Sequence, residues 1–256
     1  MGYSRYIYSV ARVRVLETRF LNKEVLSAVT AARSAEQAVK LIEQTGVYPM
    51  DILNIKDSQG LEVFCKAQLL QLDELAKGLL VDRDLYRALV LFEEDLAQSY
   101  SIIRKTRYDF LNDFFKRAVD LTNIKTFLRL RYRQAKDDDF KIRLIEGGCL
   151  GREYFLNFIR SDSQELREAL KKTYYRALAE SIDFSAIDFA HLERQIYNYL
   201  IDFIKPAKYI SFGPEPIFAY LLAKTNEIVF MRLVIMSKLN GIDPGFIAKR
   251  MTESYV

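Results

Sequence analysis

The sequence predicts an all-α protein, and three observations carry that prediction. The 256 residues include only 10 glycines and 5 prolines, so few positions interrupt long helices. Apolar residues recur at spacings of three and four, and no segment alternates strictly as a half-buried strand does. A helical segment also occurs twice, because Asn, Phe, Arg and Leu of residues 123–130 return in residues 226–233, at a spacing of 103 (226 − 123). The repetition predicts two copies of a helical domain.

Capping signals and periodicity predict the helices of the first third of the chain. Asn22 can cap a second helix, and Ser34 with Gln37 forms a capping box that opens a third. Gly46 suits the left-handed backbone position just after that third helix. The helices expected here cover residues 3–21, 23–32, 34–45 and 61–80.

The middle of the chain is predicted to hold longer helices. Asp82 or Asp84 caps one that runs to about residue 107, and the next covers 108–133 with a break near Thr122 and Asn123. The aspartates 137–139 could form a metal site, but a solvated helix cap is favoured. The glycines of residues 147–151 predict a turn rather than a phosphate-binding loop, because no Lys-Ser or Lys-Thr follows them. Two further helices are expected over 152–159 and 163–181.

The last third is predicted to end in two long helices and a short one. The first covers 189–204, where Pro206 prevents its continuation, and the second covers 217–239, with Pro216 in its first turn. Asn240 and Gly241 close it, and a short helix follows over 243–252. We place the domain boundary after residue 107, with a first repeat domain in 1–107 and later repeat material in 108–256.

Composition narrows the class of protein. The net charge of +4 is mild, and both signs are interspersed, which favours solubility over strong nucleic-acid binding. Cys65 and Cys149 lie in no metal-ligand spacing and are expected to be reduced, partly buried thiols. The first residues lack the apolar core of a signal peptide. The longest apolar run, 228–236, is interrupted by Arg232, so we expect no membrane span.

Catalytic patterns are weak. His191 stands alone beside Leu192 on a predicted helix, where packing or exposure is more common than catalysis. The acids of residues 93–95 would point to different faces of one helix and are expected to be solvated. We therefore predict no catalytic, cofactor-binding or metal-ligating residue, and the protein is not expected to be an enzyme.

Two basic segments with tyrosines could bind nucleic acid, namely residues 104–108 and Arg129, Arg131 and Arg133 around Tyr132. Arg129 is also matched by Arg232 in the repeat. That match favours a shared structural role, such as pairing with an acid on a neighbouring helix.

Several strings of this sequence resemble one known family. They include Ala11-Arg12-Val-Arg14 in the first helix and the Gly147-Gly148 turn, and the longer ones are residues 120–129, 213–232 and 238–241. This chain resembles the C subunit of A/V-type rotary ATPases, which corresponds to the d subunit of vacuolar ATPases. The likeness spans nearly the whole chain, and it is most specific in the last block.

The resemblance implies a pseudo-symmetric set of related helical domains, here shortened in the middle. It implies a non-catalytic central-stalk subunit without a cofactor, on the cytoplasmic side of the membrane. Its partners would be the rotating shaft and the membrane ring of ion-carrying subunits, and it would transmit torque between them for proton or sodium transport. The alternatives are a helical-repeat adaptor in another assembly and, from the basic segments, an RNA-binding protein.

Overall fold

The structure is a computed structural model that describes residues 4–48, 50–243, 245, 247 and 254–255. Within these residues the chain forms thirteen α-helices and three short 3-10 helices, with no strand, which confirms the all-α prediction. The 3-10 helices are Ser4–Tyr6, Met50–Asn54 and Lys205–Tyr209. The α-helices are α1 Ile7–Glu17, α2 Lys23–Ala31, α3 Ala35–Glu43, α4 Ser58–Leu79, α5 Arg83–Leu91, α6 Leu96–Ile103, α7 Asp109–Tyr132, α8 Asp137–Arg143, α9 Arg152–Leu156, α10 Ser163–Leu170, α11 Arg176–Ser181, α12 Phe189–Ile204 and α13 Glu215–Leu239.

The chain folds into two compact units. Unit 1 combines residues 1–82 with residues 204–256, and unit 2 consists of residues 83–203. The boundary predicted after residue 107 therefore falls inside unit 2, between α6 and α7. A single cut cannot describe unit 1, because two separate stretches of the chain contribute to it.

Each unit is built around one long helix. In unit 1, α13 packs against α1, α3 and α4, and most of its residues are buried on every side. In unit 2, α7 packs against α6, α8 and α9 and buries half of its 24 residues. Each of these helices therefore forms the centre of the core of its unit.

The predicted caps are confirmed at the start of α2 and α3, but the capping box of α3 is incomplete, because Gln37 accepts from the Arg33 amide (2.8 Å) and not from that of Ser34. The Asn22 side chain accepts a hydrogen bond from the Val25 amide at 2.9 Å, and the Ser34 hydroxyl accepts one from the Gln37 amide at 3.1 Å. Each side chain satisfies an amide in the first turn, which has no partner within its helix.

Three predicted helices differ from the structure. The helix expected to run to residue 107 is two helices, α5 and α6, because Asp95 accepts from the Gln98 amide at 2.9 Å and starts a new helix. The helix expected over 163–181 is also two, α10 and α11, separated at Thr173. The break expected near Asn123 is absent, because Asn123 is buried and its side chain pairs with the backbone of Ile145 instead of its own helix. The short helix expected over 243–252 lies largely outside the described residues.

Candidate functional site: a buried carboxylate in each unit

Asp120 lies on α7 at the centre of unit 2 and is completely buried. Its carboxylate accepts hydrogen bonds from the amides of Cys149 (2.8 Å) and Leu150 (3.1 and 3.3 Å). It also accepts one from the Tyr175 hydroxyl at 2.7 Å. These donors come from two segments that follow α7, so a single side chain holds the α8–α9 loop and the α10–α11 junction against the central helix.

The glycine turn before α9 packs closely against this carboxylate. Gly148 has a φ of +85°, and a Cβ atom there would lie 2.1 Å from the Asp120 Oδ1 atom. Gly147 has a φ of +99°, and a Cβ atom would lie 2.4 Å from the ring of Tyr100. Only glycine combines a left-handed backbone with so close an approach. The turn predicted from the sequence is confirmed, and it places the amides of Cys149 and Leu150 within hydrogen-bond distance of Asp120.

Burial dominates the electrostatics of Asp120. Removal from water raises the pKa of its carboxyl, while the hydrogen bonds from Tyr175, Cys149 and Leu150 and the charge of Arg117 act in the opposite direction. Burial, together with the neighbouring Asp120 charge, also raises the pKa of the Tyr175 hydroxyl, which therefore stays protonated and remains a donor. The pair stays closed to solvent, so it is suited to holding the fold and not to acid–base chemistry on a substrate.

Glu227 has the corresponding position on α13 in unit 1. Its carboxylate accepts from the Leu21 amide (2.6 Å), the Tyr48 hydroxyl (2.6 Å) and the Lys224 ammonium (2.6 Å). The Leu21 amide belongs to the loop before α2, and Tyr48 follows α3. Glu227 therefore fastens two segments of the first half of unit 1 to α13.

Lys224 completes the arrangement in unit 1. Its Nζ atom also donates to the Arg19 carbonyl at 2.8 Å, and it lies 4.5 Å from the ring centre of Tyr48 and 5.2 Å from that of Phe20. Burial lowers the pKa of Lys224, and the Glu227 charge partly offsets that effect. The aromatic faces and the carboxylate together compensate a cation that is largely removed from water.

The two carboxylates have similar positions, because each lies on the central helix of its unit and accepts from a backbone amide and a tyrosine hydroxyl. Glu227 follows Asp120 at a spacing of 107 (227 − 120), and each has a cation three positions earlier, Lys224 and Arg117. The match of residue types, at a spacing of 103, differs from this value by four, about one helical turn. Superposing the two buried carboxylates therefore shifts α13 relative to α7 by about one helical turn from the alignment that superposes the matching residue types.

A second correspondence involves the helices that bring in the tyrosines. Ser34 caps α3 and Asp162 caps α10, at a spacing of 128 (162 − 34), and Thr45 and Thr173 end them at the same spacing. Each threonine hydroxyl donates to the carbonyl three positions earlier and accepts the amide two positions later. Sequence analysis missed this repeat. Its signal is a capped helix with Thr eleven positions after the cap and Tyr two or three positions after Thr.

The predicted structural role of Arg129 and Arg232 is confirmed. Arg129 pairs with Glu193 on α12 at 2.7 Å, and Arg232 pairs with Glu62 on α4 at 2.7 Å. All four side chains are about half exposed, so the pairs join neighbouring helices at the surface of each unit. Arg131 also has a structural role, since it donates to the carbonyls of Phe158 and Ser161 just after α9.

The other candidates for chemistry have ordinary surroundings. The His191 ring contacts the Ser181 carbonyl at 3.1 Å and the Arg194 guanidinium at 3.0 Å, so both ring nitrogens are occupied. The acids of 93–95 lie at the turn between α5 and α6 and not on one helix. The acids of 137–139 form the first turn of α8, where Asp139 accepts from the Lys136 amide at 3.2 Å, as the cap interpretation predicts.

The cysteines are both free thiols. Cys65 is buried, and Cys149 is exposed rather than partly buried as predicted. In the part of the chain that the structure describes, no three His, Cys, Asp or Glu side chains are grouped as metal ligands. No helix among the described residues is both long and apolar enough to span a membrane.

Comparisons with known proteins identify similar sequences. A family model described as the ATP synthase (C/AC39) subunit matches residues 62–250. The C subunit of a V-type sodium ATPase from Enterococcus hirae is 33% identical over 141 residues, which cover 54% of this chain and 42% of that protein. The C subunit of an A-type ATP synthase from Haloferax volcanii is 28% identical over 139 residues, covering 53% and 40% respectively. The match thus spans less than half the length of either relative.

Proposed function

Because this chain belongs to the ATP synthase (C/AC39) subunit family, we propose that it is a non-catalytic rotor subunit of an A/V-type ATPase. In this role it links the rotating shaft to the membrane ring of ion-carrying subunits and transmits torque between them. The chain lies on the cytoplasmic side of the membrane and is peripheral to it. ATP is made or hydrolysed by other subunits, and protons or sodium ions pass through other subunits.

The observation that carries this proposal is the family match over residues 62–250, which includes all of unit 2 and both long helices. The relatives named as C subunits of a sodium ATPase and of an ATP synthase support the same assignment. The activity and partners that we propose for this chain are inferred from its similarity to these relatives.

The buried carboxylates give the proposal a physical basis. A part that transmits torque has to resist deformation, and Asp120 and Glu227 fasten segments distant in sequence to the central helix of each unit. Displacing such a segment would leave buried donors without partners, at a cost of about 1–3 kcal/mol for each donor. Deformation within a unit is therefore costly, as a coupling element requires.

The contacts with the shaft and the ring must each be broad enough not to slip under load. A specific interface buries at least about 1,000 Å² of surface. We place these contacts on the exposed faces of the helices, because most of α13 and half of α7 are buried in the cores.

The test is reconstitution of the A/V-type complex with and without this chain. We expect the complete complex to couple ATP hydrolysis to ion transport across vesicles. Without the chain, the catalytic head should still hydrolyse ATP while ion transport is lost, and adding purified chain back should restore transport. Co-purification with neither shaft nor ring would contradict the proposal, and recovery in a different assembly would favour the adaptor alternative.

A further inference from the structure

The outer face of α1 is apolar although it is exposed. Ile7, Ala11 and Val15 recur every four positions, and Tyr8 lies beside them on the same face. The exposed fractions are 51% for Ile7, 63% for Val15 and 76% for Tyr8. The opposite face of the helix, with Val10 and Val13, is buried in unit 1. A soluble helix usually presents its polar side to water, so this arrangement needs an explanation.

A neighbouring segment extends this apolar face. Arg14, one turn after Ala11, donates from its Nη2 atom to the carbonyls of Ala207 (3.3 Å) and Ile210 (2.8 Å). Those bonds fix the segment 207–212 alongside α1. The segment carries two exposed aromatic side chains, Tyr209 at 88% and Phe212 at 56%. Together, Ile7, Tyr8, Ala11, Val15, Tyr209 and Phe212 form what we call the α1 surface.

The polar groups at the edge of the α1 surface are mainly cationic. They are Arg12, Arg14 and Lys208. Lys208 donates to the Tyr255 carbonyl, and the carboxylate of Glu17 is engaged by Arg14 at 2.8 Å and by the Tyr255 hydroxyl at 3.1 Å. Arg12 is exposed at this edge. The surface therefore combines aliphatic and tyrosine side chains with an excess of positive charge.

We propose that the α1 surface rests on an anionic lipid surface. Aliphatic side chains can enter the boundary between headgroups and acyl chains, and tyrosines are enriched at that level because they have an apolar ring and a polar tip. The exposed Arg12 side chain is long enough to reach the phosphates. An exposed apolar face with cationic groups at its edge matches an anionic layer in polarity and in charge. The inference rests on the proposed position at the membrane ring and names the face that touches lipid.

The experiment is flotation of the purified chain on two kinds of vesicle, phosphatidylcholine alone and three parts phosphatidylcholine to one part phosphatidylglycerol. We expect binding to the anionic vesicles, weakened by high salt, and much less binding to the neutral ones. The double substitution Tyr209→Ser and Phe212→Ser should lower the partition coefficient by about tenfold, because it removes two aromatic anchors. Arg12→Gln should lower it about fivefold, the effect of one cation near an anionic surface.

Matched controls distinguish this surface from any exposed residue. Ile142→Ser removes an apolar side chain that is 80% exposed in unit 2, and Arg33→Gln removes an exposed cation of unit 1. Both should float like the wild type. Val15→Ser provides a second variant within the surface, and circular dichroism melts should show that all variants remain folded.

Three outcomes would overturn the inference. The wild type could fail to float on anionic vesicles, or the double variant could float as well as the wild type. The double variant could also keep vesicle binding and lose co-purification with the ring, which would make the α1 surface a protein interface. Co-purification of the wild type with shaft and ring tests the rotor proposal independently. Loss of vesicle binding therefore contradicts only the lipid contact, and loss of co-purification contradicts the rotor proposal.

Discussion

Unit 1 and unit 2 solve the same problem with different groups. In unit 2, Asp120 is held by two backbone amides and one tyrosine hydroxyl. In unit 1, the longer Glu227 is held by one amide, one tyrosine hydroxyl and the Lys224 ammonium. The shorter Asp120 side chain accepts from backbone amides that a glycine turn brings close to it, whereas the longer Glu227 side chain also binds the Lys224 ammonium. The comparison shows that the two units share a buried carboxylate on the central helix, and that its donors can be exchanged.

Removing the carboxylate of unit 2 should have the largest effect. Asp120→Ala leaves the amides of Cys149 and Leu150 and the Tyr175 hydroxyl without an acceptor, so we expect a loss of about 4 kcal/mol in the free energy of unfolding. Urea denaturation measures the loss, and hydrogen exchange should show it first in residues 144–151. Asp113→Ala, an exposed acid on the same helix, is the control and should cost less than about 0.5 kcal/mol. Equal losses of stability for Asp120→Ala and Asp113→Ala would contradict the structural role of Asp120.

The glycine turn offers a sharper test of the close approach. Gly148→Ala places a methyl group against the Asp120 carboxylate in a left-handed backbone and should cost about 3 kcal/mol. Gly151→Ala has a similar φ of +75° but nothing within 4 Å of the new atom, so only backbone strain of about 1 kcal/mol should remain. The difference between their thermal midpoints isolates the contact with Asp120. If the two variants melt together, the contact does not matter.

Removing one hydroxyl from each unit compares the two sets of donors directly. Tyr175→Phe should cost about 2 kcal/mol, because among the described residues no cation is bonded to Asp120 that could replace this donor. Tyr48→Phe should cost about 1 kcal/mol, since Lys224 still contacts Glu227 at 2.6 Å. Chemical denaturation of the single variants is sufficient. A larger loss for Tyr48→Phe would reverse our ranking of the two units.

The pH dependence should identify Asp120 among the carboxylates. Its pKa is raised by burial, so the folded state binds the proton more tightly than the unfolded state does. Its contribution to stability is therefore fully present below the ordinary value of 3.8 and is lost as the pH rises through the folded pKa. The stability of the wild type relative to Asp120→Asn should fall as the pH is raised above that value. A difference that stays constant or grows with pH would mean that the sign is wrong.

The smallest effects are expected at the surface ion pairs. Arg232→Met breaks the pair with Glu62 and should cost at most about 1 kcal/mol, because both side chains are half exposed. Arg129→Met should cost less, since Lys125 remains 3.8 Å from Glu193. Both losses should shrink in high salt. A loss at either site that is independent of salt and well beyond the range of an exposed pair, about 2 kcal/mol or more, would show that the pairs are more than surface links.

The sequence was sufficient for several helix starts and insufficient for the site. Helix starts at Asn22 and Ser34 depend on neighbours three positions away, so local patterns predict them. Tyr48 and Leu21 lie 179 and 206 residues from Glu227, and Tyr175 lies 55 residues from Asp120. No local pattern in the sequence indicates these contacts. The helix breaks at Asp95 and Thr173 were missed because apolar periodicity continues across a tight turn.

The repeat shows why the domain boundary could not be predicted. In unit 2, α7, which carries the buried carboxylate, comes before α10, which is followed by the tyrosine that binds it. In unit 1 the order is reversed: α3, which is followed by the tyrosine, comes before α13, which carries the carboxylate. The equivalent parts therefore occur in opposite order along the chain. A search for a constant spacing finds α7 and α13 but cannot join α13 to α1–α4.

The discontinuity of unit 1 also sets an order of events during synthesis. Unit 2 is one continuous stretch, so it is complete when residue 203 has left the ribosome. The segment 1–82, although made earlier, must wait for α13, which α1, α3 and α4 pack against. The apolar faces of those helices remain uncovered in the nascent polypeptide until α13 has been translated. Molecular chaperones are therefore expected to engage the amino-terminal part for longer than the middle.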